Sequence, residues 1–247
     1  MIPKIIHYCW FGKNEKSGLI NACIESWKKY LPDYEIVEWN EDNFNVNCCD
    51  YVKEAYESKK WAFVSDYARL WALYNYGGIY LDTDVEVLKP FDSFLSTKAF
   101  TGFEANDSPI TAVMGAQPEL SVFYDLMQHY DGLHFVNDDG SFNLFTNTHA
   151  ISDYLIENGC KQNGKKQTVK EITIFPQICF CPNNISRIWN KPSSKSFAIH
   201  HFSQSWTDDK IDKSDFLSRM KYYVVGKLRN TIGTYRLEKI RDTLKKS

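Results

Sequence analysis

The sequence predicts an α/β fold: a mixed, mostly parallel sheet flanked by helices, one domain over 1–210 with a basic helical C-terminal extension over 211–247. Three observations predict it. Two short apolar runs, Lys4 to Trp10 and Tyr34 to Trp39, bracket a helical stretch, and a β-α-β opening implies parallel strands. A wide-faced apolar helix then leads through Gly77-Gly78 into a third apolar run, Ile79-Tyr80-Leu81. The length of 247 residues suits one undivided α/β domain, and no internal repeat or low-complexity linker divides it.

Each element follows from local chemistry. Leu19, Ile20, Cys23, Ile24, Trp27 and Leu31 recur at spacings of three and four, which is one helical face. Pro32-Asp33 stops that helix. From about Ala55 to Tyr76, Trp61, Val64, Ala68 and Trp71 line one face, and Phe63, Tyr67, Leu70 and Tyr74 widen it, so this helix is expected to be largely buried. Gly77-Gly78 supplies its left-handed stop. Asp82-Thr83-Asp84 then sits at the carboxyl end of a strand, and Val85 to Leu88 runs on to Pro90. Further strands are expected at Ala99 to Phe103, Ala112 to Ala116, Ile172 to Phe175 and Phe197 to Phe202. Helices are expected at Glu119 to Tyr130 and Ile151 to Asn158, with a polar loop at Lys161 to Lys166.

Composition narrows the function classes. A hydrophobic content of 43%, a charged content of 24% and a formal net charge of -2 describe an ordinary globular protein and give no reason to expect nucleic-acid binding. Many of the 7 Trp, 15 Tyr and 16 Phe must serve the core, but exposed Trp and Tyr are also platforms on which nucleobases and sugar rings pack. Met1 to Trp10 is too short for a signal-peptide core, and no run of about 18 apolar residues suggests a membrane span. The seven cysteines lack a zinc or redox spacing, which reads as free thiols in a reducing cytoplasm.

Asp82 and Asp84 carry the chemistry. Ligands in open α/β sheets bind beyond the carboxyl ends of strands, and two carboxylates one residue apart there offer hard oxygens to Mg²⁺ or Mn²⁺. A bare D-x-D is otherwise a solvated turn. Asp66 and Arg69, at i and i+3, share a helix face with Ala62, Ser65 and Ala72, a small or polar stripe on an otherwise apolar helix. A packing ion pair would explain the stripe, but such pairs contribute little net stability, so a ligand near Asp82 and Asp84 explains it better.

Ser65-Asp66-Tyr67-Ala68-Arg69 and Tyr76-Gly77-Gly78-Ile79-Tyr80-Leu81-Asp82-Thr83-Asp84 resemble the signature of the DXD sugar-transferases of glycosyltransferase family 32. The family takes in bacterial capsule and lipopolysaccharide transferases and yeast initiating mannosyltransferases, with clostridial glucosylating toxins more distant. The opening Ile2 to Gly12 and the block His200-His201-Phe202-Ser203-Gln204-Ser205-Trp206 extend the resemblance across roughly 1–210.

The resemblance implies a GT-A-like domain and a retaining, metal-dependent transfer of a sugar from a nucleotide-sugar, UDP-linked in preference to GDP-linked. A glycan or lipid-linked acceptor in surface polysaccharide synthesis is implied, with toxin-like protein modification or bare carbohydrate binding as alternatives. Trp10 resembles the aromatic that stacks on the donor base, with core packing as its other reading. Asp66 resembles the carboxylate holding donor hydroxyls, and Arg69 the group reaching sugar or diphosphate. Tyr80 is expected in the donor pocket, Asp82 near ribose, sugar and metal, and Asp84 as a direct Mn²⁺ or Mg²⁺ ligand. His201 is placed as a late metal ligand, and Ser205 and Trp206 as donor-site closers. His200, on the other face of a strand, reads as structural. Glu104, Asp107, Asn143, Asn147 and His149 are candidates for acceptor contacts.

The tail is charge-segregated. Phe216 to Ser247 holds nine basic residues against Glu238 and Asp242, with Tyr222, Val224, Leu228 and Ile232 among them. A basic amphipathic segment suits an anionic membrane surface, so a cytoplasmic protein docked peripherally on the inner face is expected; packing on the acidic domain is the other reading.

Overall fold

The computed structural model describes residues 1–104, 109, 111–182 and 192–203. The opening unit forms as expected: β1 (Ile5–Cys9), α1 (Gly18–Tyr30) and β2 (Glu35–Trp39), with β2 parallel to β1. Ser17 starts α1 because its Oγ accepts the Ile20 N–H, and Lys28 and Lys29 sit in the last turn, where the helix dipole favours cations. Ile20, Cys23, Ile24 and Trp27 form the buried face.

The single helix expected from about Ala55 to Tyr76 is two, α2 (Asp50–Glu57) and α3 (Trp61–Tyr76). Lys59 adopts φ 58°, a left-handed conformation that ends one helix before the next begins. Apolar spacing runs through the break and so conceals it. At the other end of α3, Gly77 has φ 63°, and a Cβ there would come within 2.7 Å of Pro118 Cδ. The chain turns at once into β3 (Gly78–Leu81), which pairs parallel to β1. His7 fastens this turn. Its Nδ1 accepts the Trp39 indole N–H at 3.2 Å, so its Nε2 carries the proton and donates to the Gly77 carbonyl at 2.7 Å.

The remaining elements are β4 (Val85–Val87), β5 (Ala99–Gly102), β6 (Val113–Ala116), α4 (Ser121–Gln128), α5 (Asn147–Glu157), β7 (Gln167–Val169), β8 (Ile172–Phe175) and β9 (Ala198–His200). Seven strands form one sheet in the order β2-β1-β3-β6-β5-β8-β7, and β4 and β9 form a separate antiparallel pair. Five of the seven run the same way and β6 and β7 are reversed, so the sheet is mixed and mostly parallel. Strand β7 was not expected, and α5 begins four residues before the predicted Ile151.

Two apolar cores cover the two faces of the sheet. On β3, Tyr80 joins the core with α3, while Ile79 and Leu81 join the core with α1 and β4. Helix α3 lies on β1, β3 and β6, with α2, α4 and α5 packed around it. On the other face the fully buried Trp27 donates its indole N–H to the Val85 carbonyl at 2.7 Å, tying α1 to β4.

No disulfide forms among the seven cysteines. No helix of the described residues is long and apolar enough to cross a membrane. The basic extension, 211–247, lies outside the described residues.

Candidate active site

The sheet order sets the location. From β1 the chain crosses to β2 on one side and later returns through α2 and α3 to β3 on the other. The carboxyl edge of β1 and β3 is therefore a switch point, where open α/β sheets leave a crevice for ligands. Trp10 follows β1 there, and Asp82-Thr83-Asp84 follows β3. The two aspartates occupy a turn closed by a Val85 N–H to Asp82 carbonyl bond of 3.0 Å, rather than an extended segment.

Arg69 is the hub. From the middle of α3 its guanidinium reaches Asp66 Oδ1 at 3.0 Å, Asp82 Oδ1 at 3.3 Å, the Thr111 carbonyl at 3.1 Å and the Ser65 carbonyl at 3.3 Å. Its Cζ lies 4.6 Å from the centre of the Tyr80 ring, a cation–π contact. The Tyr80 hydroxyl donates to Asp82 Oδ1 at 3.0 Å. Burial works against the Arg69 charge, but Asp82, Tyr80 and Asp66 more than offset it and raise its pKa. Burial is also the main cause that pushes Tyr80 well above the usual phenol range.

Asp66 is buried, and burial raises its pKa against the pull of Arg69 and of the Asn147 N–H. Asn147, the first residue of α5, donates its backbone N–H to Asp66 Oδ2 at 3.0 Å and its side-chain amide to the Asp66 carbonyl at 2.6 Å. Cys9 also lies against Arg69 and Asp82, and burial pushes its thiol up to about 12, so it is protonated near neutral pH.

Asp84 is held from the other side. It accepts the Ser203 N–H at 2.7 Å, and its Oδ1 lies 3.3 Å from His200 Nε2. Burial opposes its charge, but His200 and the Ser203 N–H outweigh burial and hold its carboxyl well below the usual carboxylate range. His200 moves the opposite way: burial lowers its pKa, and Asp84 more than restores it. Candidate ligand atoms of Asp82, Asp84 and His200 all lie within 4.8 Å of one another. Two carboxylates, one part-exposed and one buried yet ionised, with an imidazole alongside, fit a divalent cation such as Mn²⁺ or Mg²⁺.

Asp66, Arg69, Tyr80, Asp82 and Asp84 are thus brought together, as their spacing implied. The late histidine beside the aspartates is His200 and not His201. His201 instead places Nε2 3.0 Å from Glu86 Oε2. The two histidines meet different partners, Asp84 and Glu86, but Asp84 lies in the turn before β4, out of strand alternation, so the histidine it meets was not readable. Trp10 is half-buried at the crevice edge; its indole N–H donates to the Asn14 carbonyl at 2.7 Å, and Lys16 Nζ lies 5.3 Å from its ring. Ser205, Trp206 and Asp107 lie outside the described residues. Of the other middle-chain candidates, Asn147 reaches the cluster. Asn143 is bonded to Phe135 and His134 carbonyls, and His149 to Thr146. Cys9, Thr111, His200 and Ser203 were missed as site residues. Cys9, His200 and Ser203 left a signal, by standing in the blocks Ile2 to Gly12 and His200 to Trp206.

Residues 18–101 match the family described as "Glycosyltransferase sugar-binding region containing DXD motif". Inositol phosphoceramide mannosyltransferase 1 of Schizosaccharomyces pombe is 30% identical over 109 residues, 40% of this chain and 33% of that protein. Inositol phosphoceramide mannosyltransferase 3 of the same organism is 33% identical over 121 residues, 46% of this chain and 33% of that protein. The match thus spans about a third of the length of these relatives. An uncharacterized glycosyltransferase of Acanthamoeba polyphaga mimivirus is 23% identical over 238 residues, 91% of this chain and 92% of that one. The solved structure of a glycosyltransferase involved in glycosylation of the major capsid of PBCV-1 covers 83% of this chain and 95% of its own at 13% identity, with a TM-score of 0.49, too low to assign a fold by itself. The resemblance to DXD glycosyltransferases therefore holds over residues 18–101, the stretch that carries Asp66, Arg69, Asp82 and Asp84.

Proposed function

We propose that this chain is a metal-dependent, retaining glycosyltransferase that moves a sugar from a nucleotide-sugar, a UDP-sugar before a GDP-sugar, to a glycan or lipid-linked acceptor. The observation that carries the reading is the grouping of Asp82, Asp84 and His200 at the β1–β3 switch point, with Arg69 and Asp66 beside it. A carbohydrate-binding protein that uses aromatic faces has no need of Asp82 and Asp84 grouped with an imidazole at a strand end. Mannosyltransferase names among the relatives make a GDP-linked donor the second choice.

Mn²⁺ or Mg²⁺ held by Asp82, Asp84 and His200 would supply positive charge against the donor diphosphate. Trp10 offers an aromatic face at the crevice edge for the base. Asp66, fixed by Asn147, accepts hydrogen bonds from donor hydroxyls. Arg69, charged and preorganised by four bonds, neutralises the negative charge that grows on the departing diphosphate. The acceptor hydroxyl attacks from the side of the leaving group. Its oxygen bonds to the anomeric carbon as the bond to the phosphate oxygen breaks, and its proton passes to that phosphate. An α-donor then gives an α-product, with no protein nucleophile. The chain acts on the cytoplasmic side of a membrane in surface-glycan assembly, where its basic 211–247 segment meets anionic lipid.

A screen of nucleotide-sugars for metal-dependent donor hydrolysis tests the reading. Hydrolysis of one donor, abolished by chelator and restored by Mn²⁺, supports it. No hydrolysis or transfer with any donor at any metal concentration overturns it.

A further inference from the structure

The side chain offered to the donor base is held from a distance. Trp10 follows β1 at the crevice edge, and its indole N–H donates to the Asn14 carbonyl at 2.7 Å. Between the two lies a tight turn in which Gly12, at φ 88°, and Lys13, at φ 55°, are both left-handed. A non-glycine residue holds that conformation only where its surroundings impose it. The ring stands where the turn puts Asn14, so whatever fixes the turn fixes the ring.

Three contacts fix it. Phe11 is buried against Phe44, with ring centres 5.9 Å apart. The Trp61 indole lies so close to Gly12 that a Cβ there would come within 2.5 Å of it. The third contact is Glu41, just past β2, whose Oε1 accepts the Gly12 N–H at 3.2 Å and the Tyr56 hydroxyl at 3.3 Å. Tyr56 in turn packs on Trp61 at 5.1 Å, so one carboxylate oxygen joins the turn to α2 and to the start of α3. The neighbouring Lys13–Asp42 ion pair, at 2.8 Å, has both side chains exposed and contributes little.

Stability gives no reason for a carboxylate at position 41. Its second oxygen, Oε2, is shielded from solvent and has no hydrogen-bond partner among the described residues. An oxygen shielded in this way costs free energy, and an apolar side chain of the same length would avoid that cost. What the carboxylate does supply is an acceptor for the N–H at the centre of the turn beside Trp10.

We propose that Glu41 is a positioning residue for the donor base: it acts through the Gly12 turn to hold the Trp10 ring as a preformed shelf, and itself touches neither base nor diphosphate. This rests on the assignment of Trp10 to the base in the transferase reading. A ring already ordered has less freedom to lose when the base stacks on it, which raises affinity without a new contact. The gain belongs to the base alone, because the diphosphate is assigned to Arg69 and to the group of Asp82, Asp84 and His200.

Calorimetric titration of the full-length protein tests the proposal with two probes, UDP and inorganic pyrophosphate, each with Mg²⁺; GDP takes the place of UDP if wild type binds it more tightly. Glu41→Met removes the acceptor and keeps the length of the side chain, whereas Glu41→Gln keeps an acceptor and removes the charge. Melting temperature confirms that each folds, and Glu41→Ala replaces Glu41→Met if that variant does not. The expected result is that Glu41→Met weakens nucleotide binding roughly three- to tenfold and leaves pyrophosphate binding unchanged, while Glu41→Gln binds the nucleotide like wild type. In a Trp10→Ala background, Glu41→Met is expected to cause no further loss. Equal loss of nucleotide and pyrophosphate overturns the proposal, as do additive losses in the double variant or wild-type nucleotide affinity in Glu41→Met. Failure of the base assignment is seen separately, as nucleotide affinity unchanged by Trp10→Ala alone, and the proposal then falls with it.

Discussion

Replacing Arg69 separates its service to the fold from its service to chemistry. In Arg69→Met the apolar stem remains and every polar contact of the guanidinium goes: Asp66, Asp82 and the carbonyls of Ser65 and Thr111. Asp66 then sits buried with no cation against it, although Asn147 still donates to it. Removing one partner of a buried ion pair costs about 3–5 kcal/mol. The part-exposed Asp82 lowers the expected loss here to about 3 kcal/mol. Arg69→Lys keeps a charge but cannot span contacts in four directions, so about 1–2 kcal/mol is expected from the lost fork. Transfer behaves differently, because the proposed role needs donors aimed at the leaving diphosphate. Both variants are expected to lose about 100-fold or more in kcat. Urea denaturation and transfer kinetics on the same preparations check this. Wild-type stability in Arg69→Met would refute the hub geometry. Near-normal kcat in Arg69→Lys would refute the leaving-group role.

Burial lowers the His7 pKa from 6.5 to about 4, so the unfolded chain binds the proton first as pH falls. Its contribution, about 3 kcal/mol, is present above pH 6.5 and disappears as pH drops toward 4; His7→Gln is expected to flatten that part of a stability–pH profile, and an unchanged slope would contradict it. Gly78 has φ 95°, and a Cβ there would meet the Ile5 carbonyl at 2.7 Å and His7 Nε2 at 2.9 Å. Gly78→Ala is therefore expected to lower stability by about 1–3 kcal/mol and to displace the turn that leads to Asp82, readable as a lowered melting temperature. Trp10→Ala is expected to weaken UDP binding about tenfold with a smaller change in melting temperature, because the ring is only half-buried; the reverse pattern would assign Trp10 to the core.

The sequence carried those features that rest on local pattern. The β-α-β opening, the glycine turn and the convergence of Asp66, Arg69, Tyr80, Asp82 and Asp84 all follow from helix spacing and from one strand end. Features set by a single dihedral or by distant pairing were not legible. Lys59 splits a helix whose apolar spacing is unbroken. His200 meets Asp84 only because β9 pairs with β4 across more than a hundred residues, and Asn147 meets Asp66 because α5 packs on α3. Strand β7 is too short and polar for alternation to show.

Calorimetric titration of UDP into the full-length protein, with and without Mn²⁺, tests the metal-dependent donor site most directly. Wild type is expected to bind UDP in the presence of Mn²⁺ and to lose about 100-fold in affinity without it, because a cation held by Asp82, Asp84 and His200 would supply positive charge against the diphosphate. Asp84→Asn keeps the shape of the side chain but removes its charge, and it is expected to bind UDP weakly whether or not Mn²⁺ is present. Equal UDP affinity with and without metal in wild type, or an undiminished Mn²⁺ effect in Asp84→Asn, would contradict the assignment of Asp82, Asp84 and His200 as the metal-binding centre.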